Sequence, residues 1–330
     1  MNDLIRQTTI AGLLHDIGKV LHRGISVDGR AHSISGYDFL KEFIKEEAIL
    51  EAVRYHHYQD LSLSKIDDSS LAYIIYLADN ISSGADRRKI EGGEISGFDR
   101  NRTLESVYNL LNNSNRKDAY NVSSIGNKIM YPDKIDNYAA GDDYNRLIFS
   151  LREGLRGIDF SSEYINSLIE ICEAYLSYIP SSTYLKEVSD ISLFDHSKLT
   201  AAFAVNILLY LNENKRKDHK TELFLNSASF YNEKAFQIFS CDISGIQQFI
   251  YNISSKRALK SLRSRSFYLE ILLENLIDEI LSFNHLYRTN IIYTGGGHAY
   301  LLLPNINTVK KNIQTAIDSA NYKLMELFKD

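Results

Sequence analysis

The apolar residues of this 330-residue chain change their spacing near residue 222, and nothing else in the sequence constrains the fold as much. Before that point they recur at helical intervals, through residues 1 to about 87 and again in YNRLIFSLREGLRGI, SSEYINSLIEICEAYLSYI and FDHSKLTAAFAVNILLYLNENKRKD. After it, KAFQIFSCDISGIQQFIYNI reads as an alternating strand running into a helix, and NIIYTGGGHAYLLLP as two strands around a glycine turn. SLRSRSFYLEILLENLIDEILSF and TVKKNIQTAIDSANYKLMELF are amphipathic helices. The sequence therefore predicts a multidomain α and α+β protein. An all-α domain covers residues 1–215, and a βαββα domain covers 222–330, a ferredoxin-like unit short of its last strand. Residues 88–145, rich in Asn, Asp, Ser and Gly, read as an irregular, partly mobile insert, and NKRKDHK at 214–220 as a solvated linker.

Composition narrows the class. Hydrophobic content of 44% and charged content of 24% are ordinary for globular proteins. Two distant cysteines, Cys172 and Cys241, suit a reducing compartment, and no apolar run is long enough to span a bilayer. A cytoplasmic location is expected. A net charge of −5 argues against non-specific coating of nucleic acid but leaves room for a local basic groove.

Within the helical region, GLLHDIGKVLHRG (12–24) reads mostly as one amphipathic helix, yet it sets His15 and Asp16 side by side beside its apolar stripe. Further imidazoles and carboxylates stand at helix ends or on apolar helices: His32, His56, His57, Asp79 and His196. One histidine in such a place is ordinarily a hydrogen-bonded core residue. Seven groups of these two kinds make a donor set suited to one or two divalent transition-metal ions such as Mn, Ni, Co or Fe. Adjacent helical residues point about 100° apart, so His15 and Asp16 can grip ions from one side while other helices supply the rest. Such ions activate water for phosphodiester hydrolysis. Asp16 is expected to be an exposed carboxylate rather than a packing residue. Lys19, one turn on, either faces the scissile phosphate or is a surface lysine.

LLHDIGKV resembles the signature of HD-domain phosphohydrolases. Five stretches in order, LLHDIGKVLHR, YLADNISSGADRR, PSSTYLKEVSDISLFDHSKLTAAFA, DISGIQQFIYNI and YTGGGHAYLLLPN, extend the likeness over nearly the whole chain. Together they resemble the large, HD-bearing subunit of type III-A CRISPR effector complexes, the Csm class. The resemblance implies an HD domain that cuts single-stranded DNA with a divalent metal when the guide RNA pairs with a target transcript. It implies other Csm subunits, guide RNA and target RNA as partners, with no membrane. It also implies two palm domains that together convert ATP to cyclic oligoadenylates, the catalytic GGDD lying in the second.

The sequence departs from that pattern at the hairpin, which reads Gly295, Gly296, Gly297, His298. Asp242 is the one carboxylate in a suitable place for a two-metal nucleotidyl-transfer site. Residues 222–330 are thus expected to be the non-catalytic palm, contacting ATP through Asp242, Ser244, Gly296, Gly297 and His298, unless the glycines simply form a tight turn. The missing strand is expected to mark the N-terminal part of a longer protein, without the second palm, the zinc segment or the C-terminal helical domain. In the usual HD arrangement an early helical histidine precedes the His-Asp pair, yet residues 1–14 contain none. DHSKLTAAFAVNILLYL has the form of that helix, displaced about 180 residues downstream. A circularly permuted HD domain is therefore expected, with His196 against Asp16 and close packing at Ala201, Ala202 and Ala204.

SSKRALKSLRSRS gathers Lys256, Arg257, Lys260, Arg263 and Arg265. They suit RNA or ATP phosphates or an acidic partner, or else form a solvated helix face. Two other functions fit parts of the pattern. One is an HD phosphohydrolase for nucleotides or cyclic messengers, against which the attached palm argues. The other is a non-enzymatic scaffold, against which the intact ligand set argues.

Overall fold

Ile5, Ile10, Leu13 and Leu14 form a buried stripe on helix α1 (Asn2–Leu14), and the helices that cover it build the floor of the site described below. The computed structural model describes residues 1–24, 29–86, 97–111, 117–126, 128–134, 140–252 and 258–328. After α1 come α2 (Gly18–Leu21), α3 (His32–Leu40), α4 (Glu47–Arg54), α5 (Tyr58–Leu63), α6 (Leu71–Asp86), α7 (Gly141–Arg156), α8 (Ile165–Leu176) and α9 (Leu193–Glu213). α1 packs on α4, α6 and α8, while α2 packs on α3 and α7. Each fully buried Leu or Ile in these contacts stabilises the fold by about 1.5–3 kcal/mol.

Residues 12–24 form two helices, not the one expected. The Ile17 and Lys19 amides bond back three residues, to the Leu14 and Asp16 carbonyls at 3.1 and 2.9 Å. That tighter winding ends α1 and redirects the chain into α2. Glycine permits the contacts on either side of the turn. A Cβ on Gly12 would lie 2.5 Å from Ala201 Cα of α9, and one on Gly18 would lie 1.9 Å from the His32 carbonyl oxygen. Ala201, Ala202 and Ala204 are buried.

The chain divides into two compact units, Met1–Val205 with Arg216–Asn232, and Asn206–Lys215 with Glu233–Asp330. Residues 214–220 are mostly exposed, as expected of a solvated linker, with one exception. His219 is buried and donates from Nδ1 to the Ser70 carbonyl at 3.3 Å. The following π-helical turn, Lys220–Leu225, sets Phe224 against the rings of Tyr58, Tyr73 and Tyr76, and α10 (Ser227–Phe230) follows it. The first unit is not all-α. Strands β1 (Leu104–Glu105), β2 (Asp118–Tyr120) and β3 (Asp133–Lys134) form a small antiparallel sheet inside the insert. Strands of two or three residues are too short to show alternation in sequence. The rest of the expected irregular insert lies partly outside the described residues.

The second unit runs β4 (Phe236–Asp242), α11 (Ile246–Tyr251), α12 (Ala258–Phe283), β5 (Ile291–Gly295), β6 (His298–Pro304) and α13 (Asn307–Phe328). Its sheet has the order β4-β6-β5, antiparallel throughout. Gly296 and Gly297, at φ of 60° and 88°, form the two-residue turn between β5 and β6. Positive φ at both positions matches the twist of a tight hairpin and favours glycine. No described helix is long and apolar enough to cross a membrane.

Candidate metal centre

The turn that ends α1 aims His15 and Asp16 inward, and burial does the rest. Asp16 is only 1% exposed, so the expected exposed carboxylate is instead part of the interior. Its two oxygens face different partners. Oδ2 lies 3.3 Å from His15 Nε2, 3.3 Å from His196 Nε2 and 2.5 Å from Lys19 Nζ. Oδ1 lies 3.0 Å from His32 Nε2 and 3.6 Å from His56 Nε2. Asp79, on α6, completes the first group, with Oδ1 3.2 Å from His196 Nε2 and 3.8 Å from His15 Nε2. His57 completes the second, its Nε2 2.8 Å from that of His32.

Two donor sets therefore share Asp16: His15, Asp16, Asp79 and His196, and Asp16, His32, His56 and His57. Within each, one donor atom per residue lies within 4.8 Å of the others, close to the span of ligands held about 2 Å from one ion. The tautomers agree with this use. His15 Nδ1 donates to the Gly12 carbonyl at 2.8 Å and His56 Nδ1 to the Val53 carbonyl at 2.6 Å. Each Nε2 then faces inward, and neither makes a hydrogen bond among the described residues. Buried nitrogens without a hydrogen bond are costly unless a cation takes them.

Charge balance fits as well. Burial pushes the imidazole of His32 down to about 4 and that of His57 to about 2, which keeps both neutral, as ligands must be. Burial opposes charge on His15 too, but the Asp16 and Asp79 carboxylates override it and raise its pKa to about 9. A metal ion bound there would have to displace that proton. Burial works against both carboxylates, yet Lys19 and the imidazoles hold Asp16 well below the usual range, and His15 and His196 do the same for Asp79. Lys19 is no loose surface group: besides Asp16, its Nζ donates to the Ser181 carbonyl at 3.1 Å.

His32, His57 and Lys19 also line a cleft of about 590 Å³, along with Arg23, Phe98 and Tyr184. The sequence does not single out these last three. Arg23 lies in the quoted stretch LLHDIGKVLHR, but nothing in its spacing tells a buried arginine from an exposed one.

In the second unit the expected nucleotide contacts are open to solvent. Asp242 pairs with His298 across β4 and β6, Oδ1 to Nδ1 3.3 Å, both side chains about half exposed. Ser244 is in the exposed turn before α11. A Cβ on Gly297 would lie 2.1 Å from Ile246 Cδ1, so that glycine permits close packing as well as the turn. Of the basic stretch, Lys256 and Arg257 lie outside the described residues. Lys260 and Arg263 are exposed on α12. Arg265 differs: it donates to the Phe249 carbonyl and sits 5.2 Å over the Phe249 ring, holding α11 to α12.

Comparison with known proteins matches both units. Residues 4–84 match the HD domain model, and residues 235–330 match Csm1 subunit domain B. A CRISPR system single-strand-specific deoxyribonuclease Cas10/Csm1 (subtype III-A) from Enterococcus italicus is 44% identical over 308 residues, covering 89% of this chain and 41% of the relative. The crystal structure of Csm1 from T. onnurineus superposes with a TM-score of 0.75 at 27% identity, over 98% of this chain and 43% of that one. A Csm1-Csm4 cassette in complex with AMPPNP gives a TM-score of 0.71 at 27% identity, over 94% and 41%. The chain spans about two fifths of the length of the curated relatives it matches.

Proposed function

Since this chain belongs to the Cas10/Csm1 family of type III-A CRISPR proteins, we propose that its first unit is a metal-dependent nuclease for single-stranded DNA. The observation that carries this reading is the placement of Asp16, one oxygen toward each donor set. His15, Asp16, Asp79 and His196 would hold one divalent ion, and Asp16, His32, His56 and His57 would hold a second. Bound there, such ions supply positive charge to the phosphodiester and make water acidic enough to ionise near neutral pH. The chain's own groups set the stage. The Gly12 and Val53 carbonyls fix which nitrogens of His15 and His56 point inward. Lys19 places a fixed cation at the cleft, where it offsets the charge developing on the phosphate.

Helix α9 takes the place of the early helix of the HD fold, so the domain is circularly permuted. The nuclease domain comprises 1–205 with 216–232. The second unit is a non-catalytic palm, whose open edge around Asp242, Ser244, Gly296, Gly297 and His298 contacts ATP shared with a second palm. In the assembled Csm complex, guide RNA paired to a target transcript switches the nuclease on.

The test is cleavage by the full chain with Mn²⁺ or Ni²⁺. Substrates are a labelled single strand, the same strand in duplex, mononucleotides and cyclic dinucleotides. Fragmentation of the single strand alone is expected. Turnover of the nucleotides instead, or no cleavage of the single strand with either metal, overturns the reading.

A further inference from the structure

The cleft beside the metal centre has a wall that the chemistry above does not use. Phe98 is 76% exposed, yet its backbone is pinned. It forms an antiparallel bridge with Tyr184; the Asp99 amide donates to the Thr183 carbonyl at 3.0 Å, and the Leu185 amide to the Gly97 carbonyl at 2.9 Å. Arg102 donates to the Tyr184 carbonyl at 2.8 Å and holds the other strand of the bridge. The two rings are in contact, with centroids 5.3 Å apart and planes at 44°. A further flat ring therefore stacks on the outer face of the pair and does not slot between them.

Arg23 lines the same cleft and is only 6% exposed. Its Nη1 donates to the Pro180 carbonyl at 2.8 Å and approaches the Tyr144 hydroxyl at 3.5 Å. It has no carboxylate partner among the described residues. Buried guanidinium groups are ordinarily paired with an anion, because removing a lone charge from water is costly. A planar guanidinium matches the oxygens of a phosphodiester two at a time.

We infer that Arg23 and the Phe98–Tyr184 pair form a binding track for single-stranded DNA, Arg23 taking a phosphate beside the scissile one and Phe98 stacking a neighbouring base. The substrate's identity rests on the nuclease reading; the track itself is built from residues outside both donor sets. Stacking needs an unpaired base, so this wall selects single strands over duplex, while a phosphate contact alone accepts either.

The experiment measures binding with no cutting: fluorescence anisotropy of a labelled oligothymidylate on the full chain, in chelator. Phe98→Ala is expected to weaken binding about tenfold and Phe98→Trp to restore it. Arg23→Gln is expected to weaken binding and flatten its salt dependence, and Arg23→Lys to keep the salt dependence with lower affinity. Arg23 is buried, so thermal unfolding checks each variant, and exposed Phe98 decides the matter if Arg23→Gln does not fold. Unchanged affinity in Phe98→Ala, no binding by the unaltered chain, or duplex bound as tightly as single strand overturns the inference. A chain that binds as expected but cuts nothing overturns the nuclease reading alone. One that cuts DNA with binding indifferent to Phe98 and Arg23 overturns the track alone.

Discussion

Both units place an aspartate beside a histidine, and the surroundings of the two pairs could hardly differ more. Asp16 is 1% exposed and has four imidazole nitrogens and one ammonium within 3.6 Å. Asp242 is half exposed and has one imidazole at 3.3 Å. Burying a carboxylate costs several kcal/mol, so the first arrangement persists only because the end of α1, helices α2, α3 and α9 and the loop after α4 bring compensating imidazoles and an ammonium to it. The second costs almost nothing to form and fixes almost nothing in place. Convergence of buried donors from distant parts of the chain separates a candidate metal centre from a surface aspartate–histidine contact that uses the same two residue types.

The strongest way to break that contrast is Asp16→Asn, which keeps the shape of the side chain and removes its charge. Both donor sets lose their shared ligand, so single-strand cleavage should fall to background. In chelator, Lys19 loses its counter-charge, and denaturant unfolding should show a loss of about 3 kcal/mol, the lower end for breaking a buried pair because Lys19 reaches solvent. A variant as stable and as active as the parent would put Asp16 on a level with Asp242.

A smaller effect sharpens the picture inside the first unit. His196→Ala and His57→Ala each remove one ligand from a different set. Isothermal titration with Mn²⁺ should show two classes of site in the parent, and each variant should weaken a different class by about 10–100-fold. The same class lost in both variants would mean one ion rather than two.

Much of this site was legible in the chain, and the limits of legibility are physical. His15, Asp16, Asp79 and His196 stand on or beside apolar helices, where an ionisable group needs a reason, and His32, His56 and His57 lie at helix ends, where the backbone turns a side chain aside. Gly12 facing Ala201 shows in the small residues of α9. The change of period shows where the second unit begins, although its order is β-α-α-β-β-α, with the short helix α11 set apart from α12, rather than the βαββα expected. The burial of Asp16 did not show, because spacing reports which stripe a residue borders and not how many other helices close over it. The break at His15–Ile17 did not show either, since three-residue hydrogen bonds leave the apolar pattern unbroken. Phe98, Tyr184 and Arg23 belong to one cleft through contacts between segments 75 to 161 residues apart, of which local pattern carries no trace. Arg265 sits within a basic run, and only its contact with Phe249 distinguishes it from Arg263.

The smallest expected effect lies at the other aspartate. Asp242→Asn removes the charge from a pair whose members are both about half exposed. Water already solvates each of them, so the pair gains little beyond what its parts have apart, and exposed ion pairs contribute about 0–1 kcal/mol. The strand itself does not depend on the carboxylate, because β4 is held by its backbone register with β6 from Phe236–Pro304 to Asp242–His298. Denaturant unfolding of Asp242→Asn should therefore differ from the parent by less than about 0.5 kcal/mol, and added salt should erase what difference there is. A loss near that of Asp16→Asn would show that Asp242 is built into the second unit as Asp16 is into the first, and that exposure is not what separates the two sites.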